Sequence, residues 1–215
     1  MGKTLILVQG INQEPDYLYK EVMANNFLSN QYDEIINAPV EFIFDGKKQK
    51  KSGFWKDTLG DIWQFYKKDD KRIAACRIVR NTILKAKSLG NQVDVLAHSL
   101  GSVITLCAGS NKAGDTLTIN NLFMLGSPLG ISFKPFRRGI TFFFPGTIPH
   151  TEQYSYNFRA TQIHYFYSNK DKVSKVFDSR ILPILSARSR KPPLVYQSGT
   201  KHDSAEYLKS MKEIL

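Results

Sequence analysis

The sequence predicts an α/β protein, a three-layer α/β/α sandwich built on a mostly parallel sheet. Short apolar runs rich in β-branched residues are closed by turns or glycines, as in buried strands. Between them lie segments whose apolar residues recur at helical spacing. Strands that alternate with helices place helices on both faces of a parallel sheet. A chain of 215 residues suits one domain, so a single domain over 1–215 is expected.

Each strand is predicted from a short apolar run that ends at a glycine, a proline or a polar turn. The predicted strands are 4–8, 40–44, 93–97, 121–125, 163–167 and 194–197. Each helix is predicted from apolar residues three or four positions apart, and Pro15 suits the entry to the first because its φ is already helical. The predicted helices are 17–23, 73–83 with a stop near Gly90, 100–108 and 204–214.

Two further segments are candidate lids. Residues 46–71 are rich in lysine and carry an aromatic stripe, which predicts an amphipathic helix packed on the domain or a lid over it. Residues 130–160 are irregular, with three prolines and the run Phe142-Phe143-Phe144, and predict a small cap or insert. A basic, aromatic cap suits lipid or an anionic acyl substrate, and a packed loop is the alternative.

The charge of the chain is strongly positive. The formal net charge is +11 and the pI is near 9.6, so anionic partners have to be considered. A solvated basic surface is the ordinary interpretation; peripheral contact with an anionic membrane and a phosphorylated substrate are the sharper ones. Nucleic acid is not favoured, because the sequence contains no recognisable nucleic-acid module. The basic runs are 47–51, 67–72, 137–138 and 188–191.

The cysteines and the apolar runs bear on location. No apolar stretch reaches the ~18 residues of a membrane span, and residues 5–8 are too few for a signal-peptide core. Cys76 and Cys107 fall inside apolar segments without metal or redox spacing. They are expected to be reduced core residues, which fits a cytoplasmic protein.

The segment 97–101, Ala-His-Ser-Leu-Gly, has a small residue two positions before and two positions after Ser99. Such a sequence lets a strand turn sharply into a helix and exposes the serine hydroxyl at the C-terminal edge of the sheet. The predicted strand before it and the apolar helix after it supply that setting, and a helix N-terminus favours developing negative charge. Ser99 is therefore the candidate nucleophile, with an ordinary helix N-cap as the alternative.

On this motif the chain resembles an α/β-hydrolase of the lipase and esterase branch with a short N-terminus. Alanine at position 97 in place of glycine is a variant found in bacterial lipases. The resemblance implies the α/β-hydrolase fold, a triad in the order Ser, then Asp or Glu, then His, and no cofactor. The sequence shows no metal-ligand cluster, so no metal is expected.

The resemblance implies that the acid follows the strand 163–167, where Asp171 stands in an Asp-x-Val context. It would hold the imidazole in the required tautomer and stabilise the imidazolium. Asp178 is the second candidate for the acid. The alternative for Asp171 is a turn residue or a helix cap.

The same resemblance implies that the general base lies on the loop before the closing helix, where His202 follows Gly199. The other histidines fit less well. His164 lies within a strand, His98 points the wrong way on the turn, and His150 precedes the acid in the chain. A surface-loop histidine is the alternative for His202.

An oxyanion hole is implied from two backbone N–H groups. One belongs to Leu100, the residue after the nucleophile, and the other to Ile11 in the loop after the first strand. The family usually shows His-Gly in that loop. Here Gln9 replaces the histidine, and Gly10 keeps the backbone freedom.

The implied function is hydrolysis of a carboxylic ester, small or lipid, through an acyl-enzyme on Ser99 and a water activated by His202. A second hypothesis is a catalytically silent α/β-hydrolase scaffold that binds an anionic ligand, a membrane surface or a partner. The basic charge and the substituted Gln9 motivate it. The retained order of Ser99, Asp171 and His202 favours the enzyme.

Overall fold

A six-stranded parallel sheet forms the centre of this α/β protein. The structure is a computed structural model that describes residues 2–10, 16–40, 69–109, 116–130, 132–133, 142–143, 157–171, 174 and 181–215. The strands described are β1 (Lys3–Val8), β2 (Glu34–Asn37), β3 (Gln92–His98), β4 (Leu117–Leu125), β5 (Ser132–Phe133), β6 (Phe142–Phe143), β7 (Phe158–Ser168) and β8 (Leu194–Ser198). The helices described are α1 (Tyr17–Ala24), α2 (Asn26–Ser29), α3 (Asp69–Ser88), α4 (Leu100–Cys107), α5 (Ile181–Ser186) and α6 (Ser204–Ile214).

The strands of the main sheet lie in the order β2-β1-β3-β4-β7-β8, and neighbouring strands pair in parallel. From β1 the chain moves outward to β2 and then returns to the other side of β1 to form β3. The direction in which strands are added therefore changes between β1 and β3. Such a point opens a crevice at the C-terminal ends of the strands, and Ser99 directly follows β3 there.

Side chains that alternate along the strands fill a core on each face of the sheet. In β1, Ile6 and Val8 point into one core and Leu5 and Leu7 into the other, and all four are fully buried. Helices α3, α4 and α5 cover the first face, and α1, α2 and α6 cover the second. The predicted three-layer α/β/α sandwich is confirmed.

Most of the predicted elements are present with shifted ends. The strands predicted at 4–8, 93–97, 121–125, 163–167 and 194–197 correspond to β1, β3, β4, β7 and β8, and the predicted helices to α1, α3, α4 and α6. Strands β4 and β7 begin earlier than expected because they pair with each other from Leu117 opposite Phe158 onward. Long-range pairing of this kind leaves little trace in a local pattern.

The second strand lies elsewhere than the sequence pattern indicates. β2 spans Glu34–Asn37 and places Ile36 opposite Ile6 of β1. Val40 is fully buried but not part of a strand, and residues 41–44 lie outside the described residues. Val40 itself is not in a strand, and the rest of the predicted strand 40–44 stays a prediction. The sequence pattern missed β2 because it is a short, half-exposed edge strand with a weak apolar pattern.

The two candidate lids lie mostly outside the described residues. Of 46–71, the structure describes only 69–71, in the first turn of α3. Of 130–160, it describes Gly130, the antiparallel pair β5–β6 and residues 157–160. Their role as lids stays a prediction. Over the part of the chain that is described, none of the helices has the length and apolar character needed to cross a membrane.

Two arginines from the basic runs are buried rather than solvated. Arg72 in the first turn of α3 is 4% exposed, and Arg188 after α5 is 8% exposed. The Arg188 guanidinium donates to the carbonyl oxygen of Ile184 at 3.1 Å. These two cations belong to the packing of the domain. The runs 47–51 and 137–138 lie outside the described residues.

Candidate active site

Ser99 occupies a strained position between β3 and α4. Its backbone has φ 53° and ψ −129°, which residues other than glycine rarely adopt. A Cβ atom on Gly101 would collide with the carbonyl oxygen of Val8, and a Cβ atom on Gly10 would lie 2.8 Å from the Cβ of Ser99. Glycine at these two positions permits the sharp turn that holds the Ser99 side chain at the C-terminal edge of the sheet.

The Ser99 hydroxyl is hydrogen-bonded to His202 rather than to the helix that follows it. Oγ lies 2.9 Å from Nε2 of His202, and within the described chain the serine side chain makes no capping bond to α4. His202 lies on the loop between β8 and α6. Asp203 fixes that loop, because its carboxylate accepts hydrogen bonds from the backbone N–H groups of Ala205 and Glu206 and so caps α6.

Asp171 lies on the other side of the His202 ring. Its Oδ2 is 2.8 Å from Nδ1 of His202, and the residue is fully buried just beyond the end of β7. A carboxylate against Nδ1 favours the tautomer in which Nδ1 carries the proton and Nε2 accepts from Ser99. The three side chains predicted from the sequence are thus joined in one hydrogen-bonded chain.

The carboxylate of Asp171 has two further partners. The Ser174 hydroxyl donates to Oδ2 at 2.8 Å, and the Tyr207 phenol donates to the same oxygen at 2.7 Å. The two hydroxyl oxygens are themselves 2.8 Å apart. Tyr207 lies in α6, so the helix that follows His202 also contacts Asp171.

Gly126, directly after β4, lies against the pair formed by Asp171 and His202. It has φ +56°, and a Cβ atom there would lie 3.0 Å from Oδ2 of Asp171, 3.1 Å from Nδ1 of His202 and 2.9 Å from the Tyr207 ring. A side chain at this position would therefore disturb the hydrogen bond between Asp171 and His202. Glycine supplies both the left-handed backbone and the space.

His98 stacks on His202 from the end of β3. The two ring centroids are 4.9 Å apart, and neither nitrogen of His98 has a hydrogen-bond partner among the described residues. The residue is 1% exposed. Burial, together with the neighbouring His202, lowers the pKa of His98 to about 3. His98 is thus a neutral packing ring, and His202, not His98, contacts the Ser99 hydroxyl.

His98 should make the fold sensitive to acid. The unfolded chain binds a proton at this histidine with an ordinary pKa near 6.5, whereas the folded chain does so only at about 3. Protons therefore favour the unfolded state as pH falls below about 6.5. Between pH 7 and pH 5 this residue alone should remove about 2 kcal/mol from the free energy of unfolding.

Urea unfolding of the wild type and of His98→Phe at both pH values measures this effect. Phenylalanine keeps a flat ring and cannot titrate, so the variant should lose about 2 kcal/mol less on acidification. Equal losses in the two proteins would contradict a neutral, buried His98.

Of the two predicted oxyanion donors, Leu100 is among the described residues and Ile11 is not. Leu100 is the first residue of α4 and is fully buried beside Ser99. Ile11 lies outside the described residues, although Gly10 before it packs directly on Ser99. The side-chain carbonyl of Gln9 accepts from the backbone N–H of Leu18 at 3.0 Å, so this residue ties the end of β1 to the start of α1.

The remaining candidates are not part of this cluster. His164 lies in β7, stacked on Phe123 and with Nδ1 3.3 Å from the Tyr196 hydroxyl. Asp178 and His150 lie outside the described residues. Among the residues that the structure describes, no three His, Cys, Asp or Glu side chains are grouped as a metal site would require.

Sequence reasoning missed three residues that lie against Asp171 or His202: Ser174, Tyr207 and Gly126. Gly126 marks only the end of a strand in the sequence, and Tyr207 occupies an apolar position of a helix. Ser174 follows Asp171 by three positions, a spacing at which a hydroxyl can reach back to a carboxylate. That spacing is the one local signal that a search for partners of the acid could have used.

Comparison with known proteins reveals similarity at the level of structure. No protein-family model matches the sequence, and no curated protein matches it. Among solved structures, esterase PE8 is 12% identical, with a TM-score of 0.56 over 100% of this chain and 93% of that one. A sugar hydrolase (YeeB) from Lactococcus lactis is 12% identical, with a TM-score of 0.57 over 100% of this chain and 85% of that one.

A third similar structure is the apo form of Thermogutta terrifontis esterase 2. It is 11% identical, with a TM-score of 0.50 over 99% of this chain and 81% of that one. Because the similarity extends over nearly the whole of this chain in each case, the chain shares a fold with these proteins.

Proposed function

We propose that this chain, which has the α/β-hydrolase fold, is a serine hydrolase that cleaves carboxylic esters with Ser99 as the nucleophile. The observation that carries the proposal is the hydrogen-bonded chain from Ser99 through His202 to the buried Asp171, at 2.9 and 2.8 Å. The strained backbone of Ser99 adds support, because strain of this kind is typical of functional sites. The likeness to esterases and other hydrolases agrees with it.

In the first half of the reaction, the Ser99 Oγ attacks the carbonyl carbon of the ester while Nε2 of His202 takes the hydroxyl proton. The resulting imidazolium is stabilised by the carboxylate of Asp171. Negative charge develops on the former carbonyl oxygen, and the backbone N–H groups of Leu100 and Ile11 are the proposed donors to it. Nε2 then gives its proton to the leaving alcohol, and the acyl group remains on Ser99.

In the second half, a water molecule replaces the alcohol. His202 takes a proton from the water as it attacks the acyl carbon, and the same proton returns to Ser99 when the carboxylic acid leaves. The cycle needs one water and no other reagent. It requires His202 to be neutral at its start, so ester hydrolysis should fail at acidic pH.

We also propose a cytoplasmic location. Cys76 in α3 and Cys107 in α4 are both buried with free thiols in the core on one face of the sheet. Free thiols that pack as small apolar side chains are usual where the compartment is reducing. Peripheral contact with an anionic membrane remains a prediction from the net charge of +11.

A fluorophosphonate probe tests the nucleophile directly, because it forms an adduct only with an activated serine. We expect stoichiometric labelling of the folded protein at Ser99 and none in Ser99→Ala, with hydrolysis of an ester series from acetate to laurate lost in parallel. Ser102→Ala is the matched control, because Ser102 lies on the next turn of the chain but its hydroxyl donates to the Ala97 carbonyl. It should label normally.

Absence of a Ser99-dependent adduct in folded protein would reject the hydrolase. It would support instead the catalytically silent scaffold, in which the same fold holds an anionic ligand or a partner. The ester series also measures which acyl length is preferred, since kcat/KM compares substrates by their transition-state binding.

A further inference from the structure

One oxygen of Asp171 receives more donors than the acid of a triad needs. Oδ2 is contacted by Nδ1 of His202, by the Ser174 hydroxyl and by the Tyr207 hydroxyl, at 2.8, 2.8 and 2.7 Å. Two of these donors come from α6 and the loop before it. The third lies three positions after the acid. The two hydroxyls therefore donate to Oδ2, the same oxygen that contacts His202.

The two hydroxyls and the carboxylate form a closed triangle of short contacts. Ser174 and Tyr207 have one proton each, whereas the triangle has three O···O contacts, since their own oxygens are 2.8 Å apart. Each hydroxyl is placed to donate to Oδ2 of Asp171, and the Thr200 side chain is a further hydrogen-bonding neighbour of the Tyr207 hydroxyl. When both do so, the anion is solvated twice in a site from which bulk water is excluded.

The triangle is fully enclosed. Asp171 and Tyr207 are 0% exposed, and Ser174 is 1% exposed. Burial, followed by the charge of Asp171, raises the pKa of the Tyr207 phenol far above its ordinary value. The phenol consequently keeps its proton at every pH at which an ester assay is practical, and it acts as a donor throughout.

We propose that Tyr207, assisted by Ser174, is a positioning residue for the acid: it fixes the rotamer of Asp171 and limits how tightly the carboxylate holds the proton of His202. The proposal rests on the proposed function and deepens it. Among the described contacts, the Tyr207 hydroxyl bonds Asp171 and Ser174 and not Ser99, so its effect is assigned to Asp171. It also joins the acid to the helix that begins just after His202, so the two residues keep their spacing.

The direction of the effect follows from where the charge goes. A hydrogen bond to a carboxylate stabilises the ionised form and draws negative charge away from the atom that faces the imidazole. Without the phenol, Oδ2 becomes more negative and binds the imidazolium form of His202 more strongly. A larger fraction of His202 is then protonated at a given pH, and the acidic limb of the kcat/KM profile moves to higher pH.

Several described groups face His202. Asp171 approaches from the end of β7, Ser99 and the neutral His98 from β3 and the turn after it, and the Tyr207 ring from α6. Because His98 stays uncharged over the assay range, it contributes no step to the pH profile. Tyr207→Phe keeps the ring that faces His202 and removes only the hydroxyl that bonds Asp171 and Ser174, so we assign a shift in this variant to Asp171.

Tyr207→Phe removes one hydroxyl and keeps the ring. We expect kcat/KM to fall about tenfold, with the loss in kcat and not in KM, and the acidic limb to rise by about half a pH unit. Ser174→Ala should shift the limb in the same direction by less, and Ser174→Thr, which keeps a hydroxyl, should restore it. If Tyr207→Phe does not unfold cooperatively, the Ser174 pair carries the same test.

Tyr32→Phe is the matched control. The Tyr32 hydroxyl donates to the carboxylate of Asp94 at 2.9 Å, the same kind of bond at a distance from the site. Its removal should cost a similar amount of stability and leave the pH profile unchanged. A pH profile of Tyr207→Phe that matches the wild type, in a protein that still unfolds cooperatively, would overturn the proposal.

A second readout separates this proposal from the proposed function. Titration of the His202 imidazole by ¹⁵N NMR, assigned with His202→Gln, follows the same proton whether or not an ester is turned over. A midpoint that rises in Tyr207→Phe supports the positioning role even where Ser99-dependent hydrolysis is absent. An unchanged midpoint overturns it even where hydrolysis is present.

Discussion

Replacing Asp171 with asparagine is expected to lower kcat for ester hydrolysis about thousandfold. The donors around the acid decide how the amide sits: Ser174 and Tyr207 both donate to the site of Oδ2, so the amide oxygen and not the NH₂ group will occupy it. The oxygen can still accept from Nδ1 of His202, and the tautomer is preserved. What disappears is the negative charge that stabilises the imidazolium, at a cost of about 4 kcal/mol.

Steady-state kinetics on Asp171→Asn and on Asp94→Asn measure this loss. Asp94 in β3 is the matched control, because its carboxylate also accepts from a tyrosine, Tyr32, and from Asn121, but it does not contact His202. The control should lose stability and keep its activity per folded molecule. Activity of Asp171→Asn within tenfold of the wild type would exclude Asp171 as the acid and direct attention to Asp178.

Much of this candidate site could be predicted from the sequence because its main residues lie in short local sequence patterns. The turn at Ser99 depends on small residues within a few positions, and the valines before it and the apolar helix after it are equally local. Asp171 and His202 each follow a strand whose apolar run is legible. The family resemblance implied the chain order Ser, Asp, His and so grouped these residues with Ser99. The structure adds the distances between the three side chains.

The contacts around Asp171 could not be predicted in the same way, because they join distant parts of the chain. Tyr207 and Asp171 are 36 positions apart, and in the sequence Tyr207 is one more apolar residue of a closing helix. Gly126 matters because three side chains converge on its missing Cβ. Patterns of hydropathy report which face is buried, and they carry no information on which buried groups meet.

The edge strand β2 is a second feature that hydropathy patterns could not predict. A buried central strand has a continuous apolar run, whereas β2 pairs with β1 alone and stays half exposed. Its Glu34 lies opposite Thr4 and its Asn37 opposite Leu7, so half of its residues carry no apolar signal. The pairing partner, and not the composition, makes this segment a strand.

Replacing Gly101 with alanine is expected to lower the free energy of unfolding by about 3 kcal/mol or more. The added Cβ would collide with the carbonyl oxygen of Val8 and lie 2.9 Å from that of Gln9. Both are backbone atoms at the end of β1, where the carbonyl of Leu7 is already bonded to the N–H of Ala38. The backbone there cannot move aside without breaking the sheet, and the melting temperature should fall by about 6–12 °C.

Gly199→Ala, compared by thermal unfolding, gives the opposite expectation from the same substitution. Among the residues that the structure describes, a Cβ atom at Gly199 would meet the Lys170 Nζ alone, at 4.0 Å. Alanine there reduces the entropy of the unfolded chain and should be neutral or stabilising by a few tenths of a kcal/mol. Comparing the two variants thus distinguishes a general effect of replacing glycine by alanine from a steric requirement of the turn at Ser99. Equal stability of the two variants would mean that α4 can slide away from β1, and that the strained position of Ser99 does not depend on their close approach.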